Sequence, residues 1–166
     1  SYADHLAHFN GKPTKTKIAI LIERGQILPE EGTVLWNTKQ TFIIKSIEKY
    51  ACLDMVKIDM LSRLREDGFS LGCVTNSIQK TAELMLRKTG CWPYLDIVIT
   101  NDFVQRTKPH SDPYEYAIHL LNSTPRETII FEDSPVGIAS GQASGAFVKI
   151  SSFSEMNYYY VLRSIG

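Results

Sequence analysis

From about residue 52 onward, short apolar runs alternate with amphipathic stretches, and this alternation constrains the fold more than any other feature. Met55 to Arg65 puts Met60, Leu61 and Leu64 on one side and Lys57, Arg63 and Arg65 on the other, with Gly68 as the stop. Phe69 to Val74 reads as a buried strand, Ile78 to Lys88 as a helix closed by Gly90, and Ile97-Val98-Ile99 as a second strand. A helix over Tyr114–Leu121, a strand over Thr128–Phe131, a helix over Gly137–Ser144 and a strand over Phe147–Ile150 complete the series. Such strand–helix–strand units predict right-handed crossovers and an α/β fold, a parallel sheet with helices on both faces. Ligands in sheets of this kind bind beyond the carboxyl ends of the strands, so the chemistry is expected there.

Residues 1–50 follow a different pattern. Apolar residues at helical spacing (Ile18, Leu21, Ile22, then Leu35, Phe42, Ile43, Ile47) predict two or three helices and no strand. The expected organisation is therefore a small helical segment over 1–50 and an α/β core over 51–166. With 18 Lys and Arg against 18 Asp and Glu, no basic excess points to nucleic acid or an anionic membrane. No apolar run approaches the roughly 20 residues that span a bilayer. Cys52, Cys73 and Cys91 are scattered and odd in number, which suits a reducing, cytoplasmic setting. Asn122-Ser123-Thr124 is a formal glycosylation sequon, but Pro125 follows it and no use is expected.

Three strand ends carry polar groups. Thr75-Asn76-Ser77 offers a hydroxyl, an amide and free N–H groups, read as an anion cradle or as an ordinary helix cap. Lys108, in Arg106-Thr107-Lys108-Pro109-His110, is held off helix by the following proline, as a site lysine or a solvated one. Glu132 and Asp133 directly follow the apolar run Thr128–Phe131, where adjacent carboxylates are costly unless a cation meets them. Mg²⁺ is the natural partner for such oxygen ligands, and a helix-capping acidic turn is the alternative.

A hydroxyl, then a lysine, then an acidic pair, each at a successive strand end, resembles motifs two, three and four of the haloacid dehalogenase (HAD) superfamily. "GFSLGCVTNS", "TKPHSDPYEYAI" and "TIIFEDSPVGIASGQASGAFV" are similar to its β-phosphoglucomutase-like branch, and "FNGKPT" resembles part of its helical cap. The resemblance runs from about residue 5 to residue 150 and implies a Rossmann-like core with that cap. It implies that Thr75, assisted by Asn76, binds the phosphoryl oxygens and that Lys108 offsets charge during transfer. It further implies that Asp133 coordinates Mg²⁺ with Glu132 beside it and Ser134 behind, acting on a small phosphorylated metabolite.

The family's first motif is an Asp-x-Asp at the end of a first strand, its first aspartate the nucleophile. No such pair follows an apolar strand here; Asp54 and Asp59 lie in or near a helix and are not two residues apart. The expectation is a carboxyl-terminal portion of a longer protein, monomeric when intact, with that strand upstream. Losing its five or so apolar side chains forfeits on the order of 10 kcal/mol, so the 166 residues alone are expected to fold poorly. Two other readings remain: a catalytically silent binding module, and a phosphomutase, which Thr14 disfavours where mutases often carry a basic residue. Lys12, Lys15 and Lys17 are candidates for a second anionic group on the substrate, or merely solvated. His5, His8 and His110 are read as surface residues, and Tyr158-Tyr159-Tyr160 as packing a final helix against the sheet.

Overall fold

The first described helices form where the apolar spacing places them. The computed structural model describes Phe9 and residues 14–165, with α1 over Thr14–Glu23 and α2 over Pro29–Tyr50. Lys12, His5 and His8 lie outside the described residues. Pro29 at the first helical position and Glu30 and Glu31 in the first turn suit the positive end of α2. Glu31 also accepts the Leu28 N–H at 2.7 Å. The two helices are tied by Ile18 packing beside Gly32 and by Lys39 Nζ donating to Thr14 Oγ1 at 2.6 Å.

The core then alternates as expected: α3 (Met55–Glu66), β1 (Gly72–Val74), α4 (Gln79–Lys88), β2 (Ile97–Ile99), α5 (Asp112–Leu120), β3 (Ile129–Glu132), α6 (Pro135–Ala143), β4 (Phe147–Ile150) and α7 (Tyr158–Ile165). Both strand pairs are parallel, β1 with β2 (Val74 opposite Ile99) and β3 with β4 (Glu132 opposite Ile150). The expected continuous sheet is present as two separate two-stranded pairs. No described strand lies between β1 and β3 to join them, and the Val74 carbonyl instead accepts from Lys108 Nζ at 2.9 Å. Among the described residues no helix is long and apolar enough to cross a membrane.

Met60 and Leu64 of α3 meet Val161 of α7, with Leu71, Phe131 and Leu162 around them. The tyrosine run therefore packs chiefly on α3: Arg63 lies 3.6 Å from the Tyr158 ring centroid, and Tyr158 donates to Asp67 at 2.7 Å. Tyr160 reaches the sheet, its ring centroid 6.4 Å from that of Phe131. Asp96, leading into β2, accepts from Leu71 N–H at 2.8 Å and from Arg65 at 2.6 Å, which holds its carboxyl below the usual range. That carboxylate fixes where β1 starts relative to α3 and β2.

The thiols differ in setting. Cys52 is exposed, Cys91 is buried, and Cys73 is half-buried, with burial pushing its thiol up against the opposing pull of Lys108. Because the thiolate is the reactive form, iodoacetamide at neutral pH is expected to modify Cys52 first and Cys91 last. Peptide mass mapping over time reads that order.

Candidate functional site

β1, β2 and β3 end at one side of the fold, and the loops beyond them face α1 and α2 across an open cleft of about 1190 Å³. Thr75, Asn76, Lys108, Glu132, Asp133 and Ser134 all line it, so the structure brings these six nominated residues to one cleft. His110 is exposed and lies outside the cleft lining.

Thr75 is set by its backbone N–H, which donates to Ile99 O at 2.8 Å. Its Oγ1 accepts the Ser77 N–H at 3.1 Å, which leaves the hydroxyl proton for a cleft anion. Asn76 links the end of β1 to the loop before α5: Nδ2 donates to Lys108 O at 3.3 Å, and Oδ1 accepts from Lys108 N at 3.2 Å. Asn101 Nδ2 in turn donates to Asn76 O at 3.0 Å. Asn76 thus fixes the backbone on which Lys108 is carried. Asp102, after β2, accepts the Gln79 N–H at 2.7 Å and caps α4 from outside.

The Lys108 side chain is 6% exposed and forms an ion pair with Glu132, itself 10% exposed. Its ammonium also donates to Val74 O and to the Tyr114 hydroxyl, each at 2.9 Å. Those three acceptors use all three ammonium hydrogens. Tyr114 donates to the same Glu132 oxygen, Oε1, at 2.5 Å, and Ser134 Oγ donates to Oε2 at 3.2 Å. Burial pushes the Glu132 carboxyl up, but the bonds from Lys108, Tyr114 and Ser134 outweigh it and hold the group below the usual carboxylate range. Burial and the Glu132 charge push the Tyr114 phenol far above its ordinary value, so it stays a donor.

Asp133 differs from its neighbour. It is exposed at the cleft, and among the described residues its carboxylate makes no hydrogen bond or ion pair. Glu132 is the last residue of β3 and turns to Lys108, and Asp133 is the first residue past the strand. Among the described residues no group of three or more His, Cys, Asp or Glu side chains could hold a metal. Mg²⁺ usually keeps several waters and takes one or two carboxylates plus a substrate phosphate. An exposed Asp133 beside the Lys108-bound Glu132 fits that ion, and does not fit a closed zinc-type site of four side-chain ligands.

The opposite wall is basic. Lys15 and Lys17 of α1 line it, as the sequence suggested, and so does Lys39 of α2, which the sequence reading missed. Burial lowers Lys17, while burial and then the Lys17 charge lower Lys39. Tyr114 was also missed, because its place in the pattern reads simply as an apolar helix position.

The haloacid dehalogenase-like hydrolase model matches residues 6–150. Over 88 residues the chain is 40% identical to the pyrophosphatase PpaX of Bacillus pumilus, covering 53% of this chain and 41% of that protein. Over 90 residues it is 37% identical to a validoxylamine A 7′-phosphate phosphatase of Streptomyces hygroscopicus, covering 54% and 42%. The matches thus span about two fifths of the length of these curated relatives. In fold it is similar to a β-phosphoglucomutase of Clostridium difficile, with a TM-score of 0.75 and 16% identity over 92% of this chain and 77% of that one. It is similar too to CbbY of Rhodobacter sphaeroides solved with phosphate, with a TM-score of 0.77 and 19% identity over 89% and 68%.

Proposed function

Since this chain belongs to the haloacid dehalogenase-like hydrolase family, we propose that it forms the phosphate-handling part of a Mg²⁺-dependent phosphomonoester hydrolase. The observation that carries the reading is one cleft lined by the Thr75 hydroxyl, the buried Lys108 ammonium and the Asp133 carboxylate, which has no partner among the described residues. When bound, Mg²⁺ supplies charge neutralisation across the phosphoryl oxygens. Thr75 donates its hydroxyl to one such oxygen, and Asp133 holds the ion, with Glu132 beside it on Lys108. Lys108 acts by charge: at about 4 Å and an effective dielectric of about 20, its gross attraction for a phosphoryl charge is roughly 4 kcal/mol. Lys15, Lys17 and Lys39 across the cleft suit a small metabolite bearing a second anionic group. The free thiols Cys52, Cys73 and Cys91 fit a reducing, cytoplasmic setting.

Covalent hydrolysis of this type requires an attacking carboxylate, which the proposal takes from outside residues 1–166. The test is phosphate release by the full gene product from a panel of small phosphate esters, after chelation and after Mg²⁺ is restored. Release is expected only with Mg²⁺, and Asp133→Asn is expected to raise the Mg²⁺ needed for half-maximal rate about tenfold or more. Metal-independent release, or none from any ester, sinks the reading. One observation favours a second reading, a phosphate-binding module without turnover: all three hydrogens of the Lys108 ammonium are engaged by the protein. It predicts that the full gene product binds inorganic phosphate yet releases none.

A further inference from the structure

We propose that Tyr114 is a positioning residue of this site: its hydroxyl locks the Lys108–Glu132 pair inward and leaves the cation-facing role at the end of β3 to Asp133. The proposal deepens the hydrolase reading and in part rests on it, because it explains why, of the two adjacent carboxylates, the ion falls to Asp133.

Tyr114 lies in the first turns of α5, just after Pro113, and is 6% exposed. Its ring packs as any aromatic would, with the Lys108 ammonium 4.7 Å from the ring centroid. Phenylalanine could supply that packing, so filling space does not account for the hydroxyl. A buried phenol costs free energy unless its oxygen is partnered. This one is partnered twice, accepting from Lys108 at 2.9 Å and donating to Glu132 Oε1 at 2.5 Å.

The hydroxyl is the one uncharged member of a triangle whose other two members are opposite charges. As acceptor it takes the ammonium hydrogen left over after Val74 O and Glu132. As donor it adds a second bond to an oxygen already bound to the ammonium. Both contacts hold Glu132 Oε1 on the buried Lys108 ammonium, while Ser134 holds Oε2. Without the hydroxyl one ammonium hydrogen is orphaned in a buried place and Glu132 keeps fewer tethers. The carboxylate can then turn toward Asp133, and the ammonium can leave its three-acceptor seat.

The experiment compares the wild-type full gene product with Tyr114→Phe by three readouts. The first is the ¹H–¹⁵N signal of the Lys108 ammonium, which a pinned and buried group protects from exchange. It is expected in the wild type and lost in the variant. The second is Mn²⁺ affinity without substrate, expected to rise about tenfold as Glu132 becomes a second ligand. The third is turnover, with kcat expected to fall about tenfold and KM to stay within about twofold. An ammonium signal that survives in Tyr114→Phe, or is missing from the wild type, overturns the proposal whatever happens to turnover. Unchanged Mn²⁺ affinity in a protein that binds the ion also overturns it. A wild-type protein that neither binds Mn²⁺ nor releases phosphate sinks the hydrolase reading, and the ammonium comparison still decides the role of Tyr114.

Discussion

Lys108→Met is expected to cost about 3–5 kcal/mol of stability, because it leaves Glu132 as an uncompensated buried charge. The size of the effect follows from how little water reaches the pair, 6% exposure on one side and 10% on the other. Methionine has the reach to fill the space, so packing contributes little to the loss. Val74 O and the Tyr114 hydroxyl lose their donor as well. Phosphate release is expected to fall about a thousandfold or more, the scale seen when a preorganised charge is removed from a site. The pH dependence separates this cause from a general weakening of the fold. In the wild type the Glu132 carboxyl is depressed below its ordinary value. Its stabilisation is therefore present above that ordinary value and is lost only as the pH falls through the depressed one. In Lys108→Met the chief opposing partner is gone and burial dominates, so the carboxyl is raised. A raised carboxyl destabilises most at neutral pH, and the penalty shrinks as acid protonates it. Urea midpoints for the two proteins should therefore converge between pH 7 and pH 5. A gap that stays constant or widens on acidification would contradict this account.

The parts of the site that were legible in the sequence are those that local pattern determines. Ile97–Ile99 and Phe147–Ile150 form the strands the apolar runs foretell. Thr75 and the acidic pair stand at strand ends, and Lys108 comes from the loop between β2 and α5, as the sequence places it. Less legible was what each side chain does once it arrives. The residues alone show only two adjacent carboxylates, yet Glu132, the last residue of β3, is paired with Lys108 while Asp133, just past it, is exposed at the cleft. Alternation along Thr128–Phe131 carries that signal in principle, but a strand read as buried on both faces does not say which side holds the lysine. Tyr114 and Lys39 answer to non-local geometry. A tyrosine amid Asp112–Leu120 looks like any helix residue until the loop before α5 and the end of β3 bring Lys108 and Glu132 to its hydroxyl. Lys39 sits on a 22-residue helix whose polar face gives no hint of which lysine borders the cleft. Asn76 reads as an aid to anion binding, and its bonds to the Lys108 backbone connect loops 32 residues apart.

Gly137→Ala is expected to damage the same pair from the opposite side. Gly137 is buried in the first turn of α6, and its N–H donates to Ser134 Oγ at 3.1 Å. A Cβ there would overlap the Glu132 carboxylate. Such an overlap is cheap when the neighbour is a free side-chain end that can swing away. Glu132 cannot swing without surrendering bonds to Lys108, Tyr114 and Ser134. The methyl therefore either displaces the carboxylate or lifts α6 off β3, at about 1–3 kcal/mol for the overpacking alone. Gly141→Ala, one helical turn on, is the control. Its Cβ would meet Val148 Cγ2 at 2.9 Å, a packing contact between α6 and β4 with no charged group in it. Both variants should lower the urea midpoint, by a similar amount if overpacking is the whole cost. Only Gly137→Ala should also erase the protected Lys108 ammonium signal and cut phosphate release, by about a hundredfold on the scale of a displaced supporting group. If Gly141→Ala lowers release as far at equal loss of stability, the close approach at Gly137 is a packing feature. If the two separate, glycine is required at 137 because the α6 backbone must pass close enough to hold the carboxylate on Lys108.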